Sequence, residues 1–412
     1  MSKEIPQVLK GFRDYLPQEQ LARKKIISKI SEVFERFGFA PLDTPSLESY
    51  ELFKGKLGED EKLMYKFTDL GDREVALRYD LTVPLVRVVA SYPQLPKPFK
   101  RYQIAPVWRA DKPQKGRYRE FVQCDIDIVG TDSILADMEV IASMNAAYKS
   151  LEIGNFQVKF NDRKLVDQAL TTLKISKSQI TDFMRTLDKL DKIGEKKVKE
   201  SLAEQGFAEN LLPEYSKLMD KLSKDRVIEI QNMLSGLGVE QMKFDKFLMR
   251  GLDYYTGIVF EFILLEKPEF GSVGSGGRYD ELVEKTTGIK TPAVGGSIGL
   301  DRLFAALEEM GDITPRTAAE VIVFNMDKNL IPEYLNITTN LRNNGIDTEI
   351  YYETAKLDKQ FKYAEAKNIQ VAIIFGMDES KKRKVNLKNL KEKEQVTVDM
   401  DDLITQVKSM LW

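Results

Sequence analysis

Two long strand-forming stretches flank one short polar loop, and this pair constrains the fold more than any other feature of the chain. The segment reads RYQIAPVWRADKPQKGRYREFVQCDIDIVG and runs from Arg101 to Gly130. Aromatic and β-branched residues favour strands, whereas Pro113 and Gly116 favour a turn between them. The pattern predicts an antiparallel hairpin, and with it a sheet built from antiparallel strands.

The hairpin carries an excess of positive charge. Between positions 97 and 119 the chain has eight basic residues against one acid, Asp111, with Phe99, Tyr102, Trp108 and Tyr118 interleaved. The basic residues are Lys97, Lys100, Arg101, Arg109, Lys112, Lys115, Arg117 and Arg119. Guanidinium groups grip phosphates and aromatic faces stack on bases, so an anionic ligand is favoured over a solvated hairpin, which typically has mixed charge. The class of anion stays open on this pattern alone.

Composition excludes several kinds of chemistry. None of the 412 residues is a histidine, which removes Ser-His-Asp and Cys-His catalysis, histidine metal triads and imidazole general bases. Cys124 is the one cysteine, so an intrachain disulfide framework and a multi-cysteine zinc site are excluded too. The remaining Arg, Lys, Tyr and carboxylate side chains suit phosphoryl or nucleotidyl transfer, where positioning and charge neutralisation dominate.

Charge and hydropathy indicate the surroundings of the protein. With 42% hydrophobic and 31% charged residues, the chain is expected to be a soluble globular protein of several domains. A net charge of -2 gives no global attraction to polyanions, so contact with nucleic acid requires local basic clusters. The first residues have charges and prolines where a signal peptide needs an apolar core, and no apolar run is long enough to span a bilayer. We therefore expect a cytoplasmic protein with no membrane partner.

The pattern of residues changes along the first three quarters of the chain and predicts domain limits. An amphipathic helix is expected from Gln18 to Phe37, followed by an edge strand, FAPLDTPSLE, that two prolines interrupt. Residues 162–245 show Lys and Glu at helical spacing and few strand formers, which predicts an all-helical insertion. This insertion separates two parts of one sheet domain, residues 1–161 and 246–315.

The last part of the chain, residues 317–412, shows a different alternation. The apolar strands VIVFNM, DTEIYY and VAIIFGM are separated by helical segments, as expected of a small α/β domain that folds as its own unit. Its basic run KKRK, residues 381–384, could contact a phosphate backbone, although such runs are more often solvated loops.

Three shorter segments also combine polar residues with backbone constraints. RYDLT places Asp80 and Thr82 on one face of an extended segment, where a carboxylate and a hydroxyl could hold an ammonium group. The glycines of GSVGSGGRYD, which starts at Gly271, would let a ligand approach the backbone, although a glycine turn is more often only a turn. RGLDYYTG starts at Arg250 and adds Asp253, two tyrosines and two glycines; a structural ion pair and a ligand site are both open.

Taken together, these motifs resemble those of histidyl-tRNA synthetases, which are class II aminoacyl-tRNA synthetases. KGFRDYLP, LRYDLTVPL, GRYREFVQCDIDI, RGLDYYTG, GSGGRYD and GLDRL occur in the order seen in that family, and the similarity spans nearly the whole chain. The resemblance implies an α/β multidomain fold. Its parts would be a class II synthetase-type antiparallel sheet with helices as the catalytic core, the all-helical insertion, and a C-terminal α/β anticodon-binding domain.

The resemblance implies roles in binding ATP. Arg109 matches the arginine that grips the α-phosphate, and Arg117 matches a second phosphate contact. Asp111 matches an adenine contact, and Phe121 the ring on which adenine stacks. Arg302, in GLDRL, matches the arginine that closes over the nucleotide from the opposite side. ATP is expected as a substrate together with Mg²⁺, and no protein-bound structural metal is expected.

The resemblance also implies a site for the amino acid. Asp80, Thr82 and Gln123 match residues that hold the α-amino group of histidine. Asp127 and Tyr255 match residues on either side of its imidazole ring.

Three further residues complete the implied set. Arg250 matches the arginine that stabilises charge at the α-phosphate and the substrate carboxylate, and with Arg109 and Arg302 it forms the expected catalytic group. Tyr254 belongs to the same histidine-binding segment. Gln114, in the hairpin loop, is the expected contact for the acceptor end of tRNA.

The implied activity is histidine–tRNA ligation. Histidine and ATP would form histidyl-adenylate and pyrophosphate, after which histidine passes to the 3′ end of tRNA(His). The expected partners are tRNA(His), L-histidine, ATP and a second copy of the chain in a homodimer. The alternative is a catalytically silent paralogue that binds histidine or tRNA and regulates a partner. Such paralogues tend to lose the nucleotide arginines, which this chain keeps at Arg109, Arg250 and Arg302.

Overall fold

The computed structural model describes residues 6–56, 58–249, 255–313 and 317–411. The chain forms two compact units. Unit 1 comprises Met1–Asp14 and Lys25–Asp312, and unit 2 comprises Tyr15–Lys24 and Ile313–Trp412.

Strands and helices alternate irregularly through unit 1. Its strands are β1 (Ala40–Pro41), β2 (Leu47–Ser49), β3 (Lys66–Thr68), β4 (Glu74–Leu77), β5 (Phe99–Trp108), β6 (Glu120–Val129), β7 (Phe156–Asp162), β8 (Met242–Phe244), β9 (Ile258–Leu264), β10 (Ser272–Arg278) and β11 (Ala293–Gly299). The helices up to its end are α1 (Pro17–Arg36), α2 (Thr82–Ser91), α3 (Ile134–Ser150), α4 (Arg163–Thr172), α5 (Lys177–Leu187), α6 (Leu190–Glu204), α7 (Leu211–Leu222), α8 (Lys224–Gly236), α9 (Asp280–Thr287) and α10 (Leu300–Met310). Among the described residues, no helix is both long and apolar enough to cross a membrane.

An eight-stranded sheet forms the centre of unit 1, with the strand order β1-β5-β6-β11-β10-β9-β7-β8. Its inner pairs are antiparallel, and its two outermost pairs, β1 with β5 and β7 with β8, are parallel. Helix α3 covers one face of this sheet, where the Tyr148 ring stacks on Phe262 of β9 with centroids 4.8 Å apart. The predicted antiparallel core is confirmed, and one face of it is left to carry polar side chains.

The predicted hairpin is formed by β5 and β6. The two strands pair along their whole length, from Phe99 opposite Val129 to Trp108 opposite Glu120. Because side chains alternate between the two faces of a strand, every second residue of β6 points to the same side of the sheet. This hairpin therefore sets the register of the residues that line the site described below.

The segment FAPLDTPSLE forms two short strands rather than the one interrupted edge strand that was predicted. Ala40 and Pro41 form the edge of the large sheet beside β5. Leu47–Ser49 instead joins a second, three-stranded sheet of order β2-β4-β3. Proline has no N–H to donate to a ladder, so Pro41 and Pro45 end the pairing on either side of the bend.

The segment RYDLT is not extended, so that part of the sequence analysis is wrong. Leu81 has φ -104° and ψ -5°, and helix α2 begins at Thr82. The Asp80 carboxylate accepts a hydrogen bond from the backbone N–H of Val83 at 3.0 Å. Since the first N–H groups of a helix have no partner inside it, a carboxylate at this position favours the start of a helix over a strand.

A helical insertion leaves the sheet after β7 and returns as β8, which pairs beside β7. Helices α4 to α8 lie between these two strands. The insertion has its own apolar core, in which Phe183 and Tyr215 meet edge to face with centroids 5.5 Å apart. Apolar residues at helical spacing bury this core, which explains why the segment contains few strand formers.

Unit 2 is a small α/β fold. Its strands are β12 (Val321–Val323), β13 (Thr348–Ile350), β14 (Val371–Ile374), β15 (Lys384–Asn389) and β16 (Gln395–Asp399), in the order β13-β12-β14-β15-β16. Its helices are α11 (Ile331–Asn343), α12 (Leu357–Ala366), α13 (Met377–Lys382) and α14 (Leu403–Leu411). The three parallel strands β13, β12 and β14 are those expected from sequence, and the antiparallel pair β15 and β16 was not expected. The basic run 381–384 is exposed where α13 ends and β15 begins.

Candidate active site

Unit 1 contains a cavity of about 660 Å³ on the polar side of the hairpin. It is bounded by the hairpin, the start of α2, the glycine-rich strands β10 and β11 and the start of α10. The cavity brings together these residues expected to bind substrates: Asp80, Thr82, Arg109, Asp111, Arg117, Phe121, Gln123, Asp127, Tyr255 and Arg302. Gln114 is exposed in the hairpin loop and does not line it. Arg250 and Tyr254 lie outside the described residues.

Most of the basic residues of the hairpin do not face this cavity, which corrects the view of the hairpin as one basic surface. Only Arg109 and Arg117 of the eight line it. Lys100 pairs with Glu139 at 2.6 Å, and the Arg119 guanidinium donates to the carbonyl of Asp111 at 3.2 Å. The alternation of strand side chains and the local demands of the loop therefore leave two arginines for a ligand.

Arg109 is held in place between two aromatic rings. Its guanidinium carbon lies 4.2 Å from the centroid of Tyr79 and 5.1 Å from that of Phe121. Its Nε–H donates to the backbone carbonyl of Tyr79 at 3.0 Å. A guanidinium fixed by its Nε side can present its terminal N–H groups without a large loss of side-chain entropy on binding. This end of the cavity is suited to a phosphate group.

The start of α10 also lines the cavity, through Asp301 and Arg302. The Arg302 side chain donates to the carbonyl of Ser272 at 2.7 Å. The neighbouring Asp301 carboxylate accepts from the backbone N–H of Val122 in β6 at 2.6 Å. Helix α10 is thereby tied to the hairpin, so Arg302 and Arg109 belong to one rigid frame rather than to separate loops.

The other end of the cavity is rich in buried carboxylates. Strand alternation places Gln123, Asp125 and Asp127 on one face of β6, and all three line the cavity. Asp125 and Asp127 are each 3% exposed. Burial raises the pKa of the Asp127 carboxyl, while the neighbouring Arg101 guanidinium acts in the opposite direction.

Asp127 is oriented by two side chains. The Arg101 guanidinium forms an ion pair with its carboxylate at 2.7 Å, and the Tyr279 hydroxyl donates a hydrogen bond to the other oxygen. Arg101 is wholly buried, because it lies directly opposite Asp127 in the hairpin register. These contacts favour the ionised form of Asp127 and fix its direction.

Asp80 adds a third carboxylate from the start of α2. Burial raises the pKa of its carboxyl, and its hydrogen bond from Val83 and the charge of Arg109 act in the opposite direction. Thr82 follows as the first residue of the helix. The carboxylate end of the cavity is thus bounded by Asp80, Asp125 and Asp127, and it is suited to a cationic group.

One glycine is required by the close approach of a strand to the carboxylate floor. Gly295 of β11 lies opposite Asp127. A Cβ built on Gly295 would clash with the Asp127 carboxylate, because it would lie 1.9 Å from Oδ1. A side chain at position 295 would push this carboxylate from its place.

Several lining residues were not anticipated from the sequence. Asp125 is on the same face as Gln123 and Asp127, so the period of two in FVQCDIDI is the signal that could have indicated it. Ser297 lies opposite Asp125 in β11 and accepts a hydrogen bond from the Gln123 amide at 2.9 Å. Arg185, from helix α5 of the insertion, also lines the cavity, and no local sequence pattern indicates this long-range approach.

Metal coordination by the chain itself finds no obvious site. Over the part of the chain that the structure describes, no group of three or more Cys, Asp or Glu side chains is arranged to hold a metal ion. The Asp127 carboxylate contacts the Arg101 guanidinium and the Tyr279 hydroxyl, and the Asp80 carboxylate accepts from the Val83 backbone N–H.

Comparisons with known proteins agree over nearly the whole chain. Residues 11–303 match the family model described as histidyl-tRNA synthetase, and residues 320–410 match the model described as anticodon binding domain. The chain is 42% identical over 419 residues to the histidine–tRNA ligase of Rhodopirellula baltica, covering 94% of each chain. It is 38% identical over 426 residues to the histidine–tRNA ligase of Korarchaeum cryptofilum, covering 98% of each.

A solved structure is similar in both fold and sequence. The crystal structure of histidyl-tRNA synthetase from Nostoc sp. PCC 7120 superposes with a TM-score of 0.86 at 33% identity, covering 98% of this chain and 99% of that one. The S. aureus histidyl-tRNA synthetase structure, at 24% identity and a TM-score of 0.73, shares the fold. Because these matches extend over nearly the whole chain, the chain belongs to the histidyl-tRNA synthetase family.

Proposed function

We propose that the cavity of unit 1 carries out both steps of histidine–tRNA ligation, with ATP at its arginine end and histidine at its carboxylate end. One observation supports this arrangement above the others: one cavity is lined both by the arginines Arg109 and Arg302 and by the carboxylates Asp80 and Asp127. A cavity with cationic and anionic parts fits a triphosphate beside an amino acid whose ammonium group is positive. Family membership makes ATP and histidine the expected pair.

In the first step, the histidine carboxylate attacks the α-phosphorus of ATP in line with the leaving pyrophosphate. A bond forms between the carboxylate oxygen and phosphorus while the bond to the bridging oxygen breaks, and the pair of electrons leaves with pyrophosphate. No general base is needed, because the carboxylate is already ionised at neutral pH. Arg109 and Arg302 would neutralise charge that develops on the phosphate oxygens, with Arg250 as the third member of this group.

The nucleotide base and the remaining phosphates would occupy the hairpin side. Phe121 offers a ring face for adenine, with Asp111 as a polar contact to the base. Arg117 would bind a second phosphate. Mg²⁺ would arrive with ATP as part of the substrate, held largely by phosphate oxygens, since this ion retains water and substrate ligands in such sites.

Histidine would be recognised at both of its ends. Asp80, Thr82 and Gln123 would bind its α-ammonium group. Asp127 and Tyr255 would bind the two ring nitrogens, with Tyr254 from the same segment nearby. An amino acid without ring nitrogens would lose both of these contacts, so it would be rejected by a factor of ~10⁴.

In the second step, a terminal ribose hydroxyl of tRNA attacks the carbonyl carbon of the adenylate and AMP leaves. The hydroxyl proton needs an acceptor, and we assign it to a phosphate oxygen of the adenylate itself, which departs with AMP. If every substitution of a nearby carboxylate slowed single-turnover transfer while adenylation was preserved, a protein base would be indicated instead.

The regions of the chain would divide the contacts with tRNA. Residues 317–412 would read the anticodon, in accord with the anticodon binding model that matches residues 320–410. The hairpin loop, with Gln114, would approach the acceptor end, and the insertion 162–245 would separate the two parts of the catalytic core, 1–161 and 246–315. We propose that this work takes place in the cytoplasm, where tRNA is used in translation.

A homodimer is the proposed assembly. Leu47 in β2, Phe67 in β3 and Leu70 in the turn after β3 have side chains that are 41%, 52% and 109% exposed. Neighbouring apolar side chains at a surface favour an isologous contact with a second copy. One chain has a mass of 47.2 kDa, and light scattering of the purified protein at micromolar concentration should give twice that mass. Replacing Phe67 and Leu70 by lysine should give the single mass.

Two variants test the division of the cavity. Arg117→Ala should raise the KM for ATP in ATP–pyrophosphate exchange by about tenfold with little effect on the KM for histidine, because it removes a phosphate contact. Asp127→Asn should do the reverse. If both variants changed the same constant, the proposed orientation of the substrates would be wrong. The regulatory alternative is not favoured, since the relatives described above are ligases.

A further inference from the structure

Asp125 is a buried carboxylate that the roles proposed above leave unused. It lines the cavity and is 3% exposed. Its Oδ1 has no hydrogen-bond partner within the described part of the chain. A buried polar atom without a partner costs stability, so its presence in a native structure requires an explanation. A ligand that supplies the missing hydrogen bond is one such explanation.

The surroundings of Asp125 do not neutralise it. The charge of Arg101 acts on the Asp125 carboxyl, but the Arg101 Nη2 contacts Asp127 at 2.7 Å and the carbonyl of Leu81 at 3.0 Å. Gln103, the residue opposite Asp125 in β5, is directed instead to Asp43 and donates to it at 3.0 Å. Across the described residues, no ion pair forms with Asp125.

The position of Asp125 along β6 places it beneath the proposed substrate. Residues two apart on a strand are separated by roughly 7 Å, so Asp125 lies between Gln123 and Asp127 on the floor of the cavity. Gln123 is assigned to the ammonium end of histidine and Asp127 to its ring. A histidine molecule that reaches both residues must pass over Asp125.

The hydrogen bonds of the floor connect Asp125 to the ammonium end. Gln123 donates to the Ser297 hydroxyl at 2.9 Å, and that hydroxyl in turn interacts with the Asp125 carboxylate. Asp127, by contrast, is already oriented by Arg101 and Tyr279. The ring end therefore has its carboxylate held through both oxygens, whereas at the ammonium end the Gln123 Oε1 and the Asp125 Oδ1 have no hydrogen-bond partner among the described residues.

We propose that Asp125 binds the α-ammonium group of histidine through Oδ1, as a second carboxylate beside Asp80. This inference rests on the proposed function, because it deepens the recognition of the same amino acid. The ammonium group carries three N–H donors for Asp80, Thr82, Gln123 and Asp125, so two of these acceptors would share one N–H. A ligand with the imidazole ring but without the ammonium group would leave Asp125 unpaired.

Two histidine analogues separate an ammonium contact from a ring contact. Histidinol keeps the ammonium group and the ring, whereas imidazole-4-propionate keeps the ring and the carboxylate but has no ammonium group. Binding of each to the full-length wild-type protein and to Asp125→Asn would be measured by titration calorimetry. The protein contains no histidine, so imidazole proton signals in a parallel NMR titration come from the ligand alone.

The expected result is a selective loss. Asp125→Asn should weaken histidine and histidinol by about tenfold or more, as expected for loss of a charged hydrogen bond, and should leave imidazole-4-propionate unchanged or bound more tightly. An equal loss for both analogues would overturn the proposal in favour of a ring contact. Unchanged binding of histidinol would overturn it in favour of a purely structural acid.

Two controls keep this test separate from misfolding and from the proposed function. Asp137→Asn removes another buried carboxylate, which does not line the cavity. The Asp137 carboxylate accepts a hydrogen bond from the Arg278 guanidinium at 3.0 Å. This substitution should lower thermal stability without changing the ratio of the affinities for histidinol and imidazole-4-propionate. Histidine-dependent ATP–pyrophosphate exchange by the wild type tests the proposed function by itself. Exchange in the wild type with no selective loss in Asp125→Asn would reject only the role of Asp125.

Discussion

The substitution Asp125→Asn should stabilise the ligand-free protein at pH 8, even though it weakens substrate binding. Burial, together with the charges of Asp127 and Asp80, raises the pKa of the Asp125 carboxyl from 3.8 to about 7, while Arg101 and Ser297 oppose this rise. At 1.36 kcal/mol per pKa unit, the ionised carboxylate costs the folded state up to about 4 kcal/mol above pH 7. An amide keeps an acceptor for Ser297 and carries no charge.

The sign of the pH dependence follows from the direction of this change. The folded protein keeps the Asp125 proton up to about pH 7, whereas the unfolded chain loses it near its ordinary value of 3.8. The stability of the wild type therefore falls as pH rises between these two values and is constant in this respect above pH 7. The advantage of the variant should grow by up to about 3 kcal/mol between pH 5 and pH 8. Asp80 and Asp127 are present in both proteins, so their contributions to the free energy of unfolding largely cancel in the difference between the two proteins.

Urea unfolding followed by tryptophan fluorescence measures this difference. The chain has two tryptophans, and Trp108 lies in β5 of unit 1. A Trp412→Phe background would restrict the signal to unit 1. We expect the variant to be more stable than the wild type at pH 8 by up to about 4 kcal/mol, because it carries no carboxyl that must ionise in the folded state. A variant that is less stable at pH 8, or a difference that does not change with pH, would refute the reasoning.

Three further outcomes are expected. Gly295→Ala should abolish histidine binding in titration calorimetry, because the added Cβ would lie 1.9 Å from Asp127 Oδ1. The control Gly236→Ala should bind histidine normally in the same assay, because no atom lies within 4 Å of its added Cβ. Tyr279→Phe should raise the KM for histidine about three- to tenfold in pyrophosphate exchange and leave the KM for ATP unchanged, because it removes the hydroxyl that orients Asp127; an equal change in both constants would contradict this. Raising the salt concentration from about 50 to 200 mM should raise the KM for tRNA in aminoacylation, because binding of the tRNA phosphates releases counterions. Pyrophosphate exchange does not involve tRNA and should change little. Equal salt sensitivity of the two reactions would count against a tRNA-specific effect.

Local sequence patterns predicted the parts of the fold in which neighbouring residues favour one type of secondary structure. The hairpin followed from alternating strand formers on both sides of Pro113 and Gly116, and the helical insertion followed from its spacing of Lys and Glu. The pair β15 and β16 was missed because KVNLKN and QVTVD mix strand formers with lysine, asparagine and aspartate. These strands are stabilised by pairing with β14, which is a contact that no local window contains.

The site was predictable where family motifs name a residue and less so where register decides its neighbours. Arg101 belonged to a run of basic residues, and only the pairing of β5 with β6 shows that it is buried against Asp127. Asp80 and Thr82 do reach the same cavity, but by the start of a helix rather than by strand alternation. Asp125 was overlooked because a motif read by analogy draws attention to the residues already assigned in relatives.

ATP–pyrophosphate exchange without tRNA, run with each of the standard amino acids in turn, tests the central claim most directly. The account predicts exchange with histidine alone, with other amino acids rejected by a factor of ~10⁴. Exchange that depends on a different amino acid would contradict the assignment of Asp127 and Tyr255 to the imidazole ring. No exchange with any amino acid, from protein shown by circular dichroism to be folded, would contradict the adenylation chemistry itself and favour a chain that binds histidine or tRNA without activating it.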